Sequence, residues 1–540
     1  MYANVILETP TSPEWDFFTY FVGQNLEKKI KVGQKVEVPF GKKYTSGYVI
    51  KLLTSTDLKN PKSINKIIYS KPLINVVQIE LIRLLSEHYF APYFDPLNLM
   101  IPNFPSSLKV DSLTKNLKSK IHKLILVSSI FEIPNILAKQ DKKSKVLIYH
   151  ANFPLKMRIQ NYLDILDNKP DIVIGTRSAV LAPFSKIDQI EIINEEEPGF
   201  REERSPYFDT TFTADKLAKL TYAKFIVKSS TPRIETSWKI KHKQFSALLQ
   251  IIKPPDIQTT IVDSKINTFP LAYSICERIR NSNQPVLIIL NRVSNIGRIF
   301  CKDCEFVDFA PQTPSSCPNC GNLNLQFFNL DVKTLSDHLK KEIPEKTISI
   351  VSSNSPLTKL TDIIISTSTV FYSRLPLKFR YAIILADSFL NIPSFNASQI
   401  TFGAIVKTKN LIETNGEFFI QTKNVDNFFI NSASANDYIG FYSKEVKERQ
   451  KLNYPPFWIF AKITIPKKES EKLIRKLESV KNTFKKPVEM IGPLESKGAP
   501  GRKGEQKYDI ILKAQNRQDL EPLLLIAGKS FKIVIEPNDL

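Results

Sequence analysis

Two short β-branched runs, Asp171–Gly175 and Gln189–Asn194, constrain this 540-residue chain more than any other feature. Apolar runs of this length, bounded by polar turns, read as strands buried in a parallel sheet. Thr176-Arg177-Ser178 follows the first and Glu195-Glu196-Glu197 the second. The carboxyl edge of an open parallel sheet is where ligands bind. A Thr/Arg/Ser turn there suits a phosphate backbone, and a carboxylate cluster suits a metal-bound nucleotide.

More strands are expected at Lys123–Ser128, Lys145–Tyr149 and Lys224–Lys228, with a helix at Leu155–Leu166. A second series follows at Val286–Leu290, Thr347–Val351, Asp362–Ser366, Tyr381–Leu385 and Glu417–Gln421. Alternation of this kind means parallel α/β units. The run Ile172–Phe184 followed by Asn194-Glu195-Glu196-Glu197 resembles the primosomal protein N′ (PriA) family, which carries G-T-R-S-A and then a D-E-E-H box. Ser229-Ser230-Thr231-Pro232 matches the family's S-A-T-P turn, and Tyr454-Pro455-Pro456-Phe457 is a family feature as well. The resemblance implies an α/β fold: two RecA-like helicase lobes with a zinc-binding insertion, an N-terminal β-barrel that binds DNA 3′ ends, and a C-terminal α+β domain.

The expected domains are the barrel at 1–103, a polar linker at 104–121, the first lobe at 122–252, the second at 253–434 with its zinc insertion at 300–325, and the tail at 435–540. So short a linker leaves no room for the family's winged helix, which is expected to be absent. In the barrel, Ala3–Thr9, Lys35–Pro39 and Ser46–Leu53 read as strands. Val38-Pro39-Phe40-Gly41 resembles the family's V-P-F-G turn, Trp15-Asp16 stands where the family has an aromatic residue before Asp, and Lys66 falls near its pocket lysine. An aromatic face stacks a base, Gly lets backbone approach, and Lys meets phosphate. Thr176, Arg177 and the tail-loop residues Arg502 and Lys503 are the other expected DNA contacts.

Three catalytic devices of the family have no counterpart. A P-loop needs glycine amides and a Lys around the phosphates, but the strand at Lys123–Ser128 runs into Ser129-Ile130-Phe131-Glu132, with neither. Asn194 replaces the carboxylate that would position Mg²⁺. Gly403-Ala404-Ile405-Val406-Lys407 occupies the neighbourhood of the arginine finger, the group that stabilises charge on a transferring phosphate. The degenerate box Asn194, Glu195, Glu196, Glu197 is therefore read as noncatalytic, three solvated carboxylates at a sheet edge.

Cys301-Lys302-Asp303-Cys304 and Cys317-Pro318-Asn319-Cys320 are twelve residues apart, the spacing of a tetrahedral S₄ site. One Zn²⁺ is expected, with rubredoxin-like iron the alternative. The net charge of +21 favours a polyanionic partner. No apolar run reaches the length of a membrane span, about 18 residues, and no signal-peptide pattern opens the chain.

The expected protein binds branched or 3′-ended DNA, stalled forks and D-loops, in replication restart and DNA repair. It acts as a cytoplasmic, nucleoid-associated monomer without ATPase activity. A single-stranded-DNA-binding protein and replisome-loading proteins are its expected partners. The competing readings are an active ATP-dependent 3′–5′ helicase and a protein–protein platform without DNA binding.

Overall fold

A computed structural model describes the chain except residues 11–14, 106–119, 248–256, 265–269, 292–296, 311–313, 329–330, 353–359, 373–377, 393, 482–486, 497–505 and 538–540. The chain divides into two compact units, Met1–Pro232 with Arg449–Asn538, and Arg233–Glu448. The lobe boundary expected at 252–253 thus falls at Pro232–Arg233, because Ile234 is buried in the core of the second unit. Phe441 is buried in that same core, which carries the unit past the expected 434–435 boundary.

The first unit opens with β1 (Tyr2–Leu7), β2 (Phe18–Phe21), β3 (Lys35–Phe40), β4 (Lys43–Leu53) and β5 (Lys66–Ile67), in the sheet order β2-β1-β4-β3-β5. β2 also meets the segment that leads into β5, since Phe21 N–H donates to Lys62 O and Ile64 N–H to Phe21 O, each at 2.9 Å. Ala3, Val5, Leu7, Val36, Val38 and Val49 fill the interior of this small sheet. A helix at Val76–Tyr89 follows, started by a capping box in which Asn75 and Gln78 satisfy each other's backbone N–H. Its Leu81, Ile82, Leu85 and Tyr89 recur at helical spacing and are buried. The expected polar linker begins apolar: Phe104 is buried, 6.2 Å from the ring of Tyr69 and 5.7 Å from that of Tyr162. Most of that linker lies outside the described residues.

The first α/β sheet consists of β6 (Ile121–Leu126), β7 (Val146–Tyr149), β8 (Ile172–Gly175), β9 (Ile187–Ile193) and β10 (Lys224–Lys228). All pairings are parallel, in the order β10-β9-β6-β8-β7. The chain switches sides at β6, which places the turns after β6, β8 and β9 together at the carboxyl edge. The helix Leu155–Leu166 lies where its apolar spacing predicts and buries Ile159, Tyr162 and Leu163.

In the second unit, β11 (Gln258–Asp263), β12 (Val286–Ile289), β16 (Ile348–Val351), β17 (Ile363–Ser366), β18 (Phe379–Leu385) and β19 (Ile412–Thr422) form a parallel sheet, order β11-β19-β18-β12-β17-β16. Between β12 and β16 stands a separate antiparallel sheet of β13 (Gly297–Cys301), β14 (Val307–Ala310) and β15 (Leu325–Phe328). Gly403, Ala404 and Ile405, in the neighbourhood of the missing arginine finger, are buried in the helix Ala397–Lys409.

The tail returns to the first unit with β20 (Ile459–Pro466), β21 (Val488–Glu495), β22 (Lys507–Ala514) and β23 (Lys532–Ile535), an antiparallel sheet that buries the helices Lys467–Lys481 and Arg517–Ala527. This is the α+β order expected from sequence. Just before it, Arg449 is fully buried and donates to Pro455 O at 3.3 Å, while Tyr454 N–H donates to Arg449 O at 2.8 Å. The Tyr-Pro-Pro-Phe turn is thus held by an arginine from the preceding helix. Among the described residues no helix is long and apolar enough to cross a membrane.

Candidate functional site

The turn after β6 lies at the carboxyl edge of the first parallel sheet, the edge at which open sheets of this kind bind ligands. Here the Glu132 carboxylate does what a phosphate would do. One oxygen accepts the backbone N–H groups of Ser128 and Ser129, each at 3.1 Å, and the Ser128 hydroxyl at 2.7 Å. Successive N–H groups of this kind form an anion-binding concavity, and its occupant is part of the chain. The turn after β9 closes over it: a Cβ on Gly199 would lie 2.4 Å from Ser128 O, so only glycine permits this approach.

Two of the three carboxylates after β9 are buried, contrary to the expectation. Glu195 is 0% exposed and Glu197 5% exposed. Glu196 accepts the hydroxyls of Ser229 at 2.8 Å and Thr231 at 3.0 Å, which couples it to the Ser-Ser-Thr-Pro turn. Burial of this kind depends on which segments fold over a turn, and a local sequence pattern does not report that. Asn194 adopts φ 55°, a left-handed conformation that Asn tolerates better than most residues, and its N–H donates to Lys228 O at 2.7 Å.

After β8, Thr176 opens a tight turn in which its carbonyl accepts the N–H of Ala179 at 2.8 Å. Arg177 is half-buried. Its Nε meets Glu202 at 3.1 Å and its Nη1 donates to Gly199 O at 3.4 Å. Arg204 meets the other oxygen of Glu202 at 3.0 Å. Burial pushes the Glu202 carboxyl up, but Arg204 and Arg177 outweigh it and hold it below its ordinary value. The guanidinium of Arg177 is therefore spoken for within the fold.

The N-terminal sheet presents a different surface. Trp15 is 58% exposed and stacks on Phe18, with ring centroids 6.1 Å apart. Phe18 meets Phe40 edge-on at 5.3 Å. Gly41, at φ +60°, makes the turn between β3 and β4, and nothing lies within 4 Å of where its Cβ would be. The amine of Lys62 donates to Gly41 O at 3.1 Å. Lys66 instead pairs with Glu37 at 3.5 Å, across β3 from β5. The structure thus brings Trp15, Phe40, Gly41 and Lys62 to one surface and sets Lys66 four residues down the strand from Gly41. Phe18 and Lys62 were missed in the sequence. The aromatic repeat Trp15-Asp16-Phe17-Phe18 was the available signal for Phe18, whereas Lys62 is one of several local lysines. Asp16 accepts the N–H of Tyr93 at 3.2 Å and the amine of Lys529 at 3.0 Å.

The four predicted cysteines converge at the end of the small antiparallel sheet, their sulfurs all within 4.8 Å of one another. Cys301 and Cys320 lie 3.6 Å apart, as do Cys304 and Cys317. That is too long for a disulfide, about 2.05 Å, and close to the edge of an S₄ tetrahedron built on metal–sulfur bonds of about 2.3 Å. The cluster can hold a metal ion. The Asn319 side-chain amide, 3.5 Å from Cys304, is the largest influence drawing that thiol down to about 6. Cys317 N–H donates to Asn322 O and Gly321 N–H to Cys317 O, each at 2.8 Å, folding the second pair into a tight knuckle. Cys276 lies apart, half-buried against the core of the second unit, where burial pushes its thiol up.

Arg502 and Lys503 lie outside the described residues. Comparison with known proteins places this geometry in context. The family model described as "3'DNA-binding domain (3'BD)" of PriA matches residues 4–102. "Replication restart protein PriA" of Borreliella burgdorferi is 25% identical, over 70% of this chain and 65% of that protein. Its namesake in Bacillus subtilis is 22% identical, over 80% and 61%. The chain therefore spans less than two thirds of the length of these two relatives. The Rickettsia conorii protein of the same name is 22% identical, over 96% of this chain and 97% of that protein.

Proposed function

We propose, on the premise that this chain is a relative of the PriA replication restart proteins and shares their 3′DNA-binding domain, that it binds branched or 3′-ended DNA without turning over ATP. The DNA it meets is the stalled fork or D-loop of replication restart and repair. The observation that carries the second half is Glu132 on the amides of Ser128 and Ser129. A nucleotide phosphate would have to displace a carboxylate that three donors already hold, and then sit beside its charge. No lysine of the turn would compensate, and Asn194 lacks the charge to position Mg²⁺.

The first half rests on the exposed aromatic surface of the N-terminal sheet and on the charge of +21. Trp15 stacks the terminal base, the open turn at Gly41 admits the backbone, and Lys62, with Lys66 nearby, offsets phosphate charge. Thr176, Arg502 and Lys503 extend the contact along the strand. Arg177 acts indirectly, by fixing the turn that presents Thr176.

The cysteine cluster holds one Zn²⁺. With four thiolates and no open position the ion is structural: it ties the ends of the small antiparallel sheet together. Elemental analysis of freshly purified protein should find one equivalent of zinc; less than half an equivalent, or iron instead, would overturn the assignment. A single-stranded-DNA-binding protein and replisome-loading proteins are the proposed partners of a monomeric, nucleoid-associated protein.

Calorimetric titration with Mg-ATP tests the nucleotide half. No binding is expected up to millimolar ATP, and a micromolar dissociation constant would restore the helicase reading. A protein that bound neither ATP nor forked DNA across a salt series would instead be the protein–protein platform.

A further inference from the structure

The carboxylate of Asp16 is gripped by the far end of the chain. Lys529 Nζ lies 3.0 Å from Asp16 Oδ1 and 3.2 Å from Oδ2, and Tyr93 N–H donates to Oδ1 at 3.2 Å. Both side chains are largely covered, and the ammonium also lies 6.0 Å from the centre of the Phe90 ring. Lys529 is placed by its own helix, Arg517–Ala527, which ends at Gly528. At the other end of that helix Arg517 donates to the carbonyls of His88 and Glu87, each at 3.0 Å. Those are last-turn carbonyls of the helix Val76–Tyr89, which have no partner within that helix. A third tie joins Arg201 to Ile535 O. Two cations at the ends of one C-terminal helix, Arg517 in its first turn and Lys529 just past its last, thus fix it against the N-terminal domain, one at a helix end and one at Asp16.

We propose that Lys529 is a positioning residue for 3′-end recognition, making the C-terminal domain part of the end-binding site. This rests on the 3′-end reading above. Asp16 adjoins the exposed Trp15, so a terminal nucleotide stacked on the indole brings its 3′-hydroxyl to the carboxylate. An ionised carboxylate has about four acceptor positions, and among the described residues these contacts fill three. The remaining position accepts the hydroxyl. Lys529 does two things for this bond. It fixes the rotation of the carboxylate, and it offsets a negative charge that would otherwise face the DNA phosphates. A cation-to-carboxylate pair held at two oxygens serves this better than a free aspartate on a loop would.

The test uses the full, zinc-loaded chain and a fluorescent fork whose leading strand ends either in a 3′-hydroxyl or in a 2′,3′-dideoxy nucleotide. The two ends carry equal charge and differ at the terminal hydroxyl. The wild-type protein should favour the hydroxyl end by about tenfold, the worth of a hydrogen bond to a charged group. Lys529→Met should bring that ratio close to one, and Lys529→Arg should retain it. Adding Lys529→Met to Asp16→Asn should lower the ratio no further, because both act through one bond.

If Lys529→Met weakens both ends equally and leaves the ratio intact, Lys529 touches DNA directly or only supports the fold, and the inference fails. Should Lys529→Met not fold, Lys529→Gln against Lys529→Arg carries the same comparison. A wild-type protein with no preference, and no loss of binding with Trp15→Ala, would sink the 3′-end reading itself.

Discussion

Two regions of the first unit have opposite chemistry. At the carboxyl edge of the first parallel sheet the polar groups answer one another. Glu132 sits on the amides of the β6 turn, Glu196 on Ser229 and Thr231, and Glu202 between Arg177 and Arg204. On the N-terminal sheet, Trp15 and Phe40 (37% exposed) stand out from the surface around an open glycine turn. A ligand arriving at the first region must break bonds the chain has already made. One arriving at the second gains stacking area at little cost. The sheet edge is thus built as architecture, whereas the neighbouring surface is left open to a stacking ligand.

The largest effect that separates the two regions is expected from Trp15→Ala. It should weaken binding of 3′-ended DNA by about 1–3 kcal/mol, the worth of one stacked base, read by fluorescence anisotropy. Phe131→Ala, which removes an exposed aromatic from the sheet-edge turn, should leave binding unchanged. Equal losses would erase the contrast.

Glu132→Ala comes next. It leaves the partly buried amides of Ser128 and Ser129 without their acceptor and should cost about 1–2 kcal/mol of stability in urea unfolding. It should not create ATP turnover. A gain of hydrolysis would mean that Glu132 alone was what kept the site shut.

The Glu202 cluster makes a pH prediction. Its carboxyl is held below the ordinary value of 4.5 in the folded protein. A depressed folded pKa contributes stability that is present above the unfolded value and is lost as pH falls through the folded one. Acid denaturation followed by circular dichroism should therefore show a component below pH 4.5 that Glu202→Gln removes. Glu202 itself is buried, but its partner Arg204 is largely exposed and screened by solvent, so the pair is worth little, about 1 kcal/mol or less.

The smallest effect belongs to Lys62→Ala. It should weaken all DNA ends alike by a few fold and lower the slope of log affinity against log salt by about one. A loss specific to 3′-hydroxyl ends would instead give Lys62 a role in end recognition.

The periodic parts of the fold were legible in the sequence. Each of the five strands expected in the first sheet lies within two residues of its place, because a buried parallel strand writes an uninterrupted β-branched run. β2 escaped notice: Phe18–Phe21 is short, and its aromatic residues serve the surface as well as the core. The cysteine cluster was legible because metal ligands at a tight turn have fixed spacing. The state of the glutamates after β9 was not: the hydroxyls that hold Glu196, on Ser229 and Thr231, are more than thirty residues away. The Asp16–Lys529 pair, 513 residues apart, lies beyond any local pattern.

The most direct test of a sheet edge kept as architecture beside a working DNA surface is ATP hydrolysis by zinc-loaded protein. It should be measured with and without a fork bearing a free 3′ end, while binding to that fork is followed in the same samples. Tight fork binding with hydrolysis no higher than in a protein-free blank is the predicted result. DNA-stimulated hydrolysis that Glu195→Gln abolishes would contradict it.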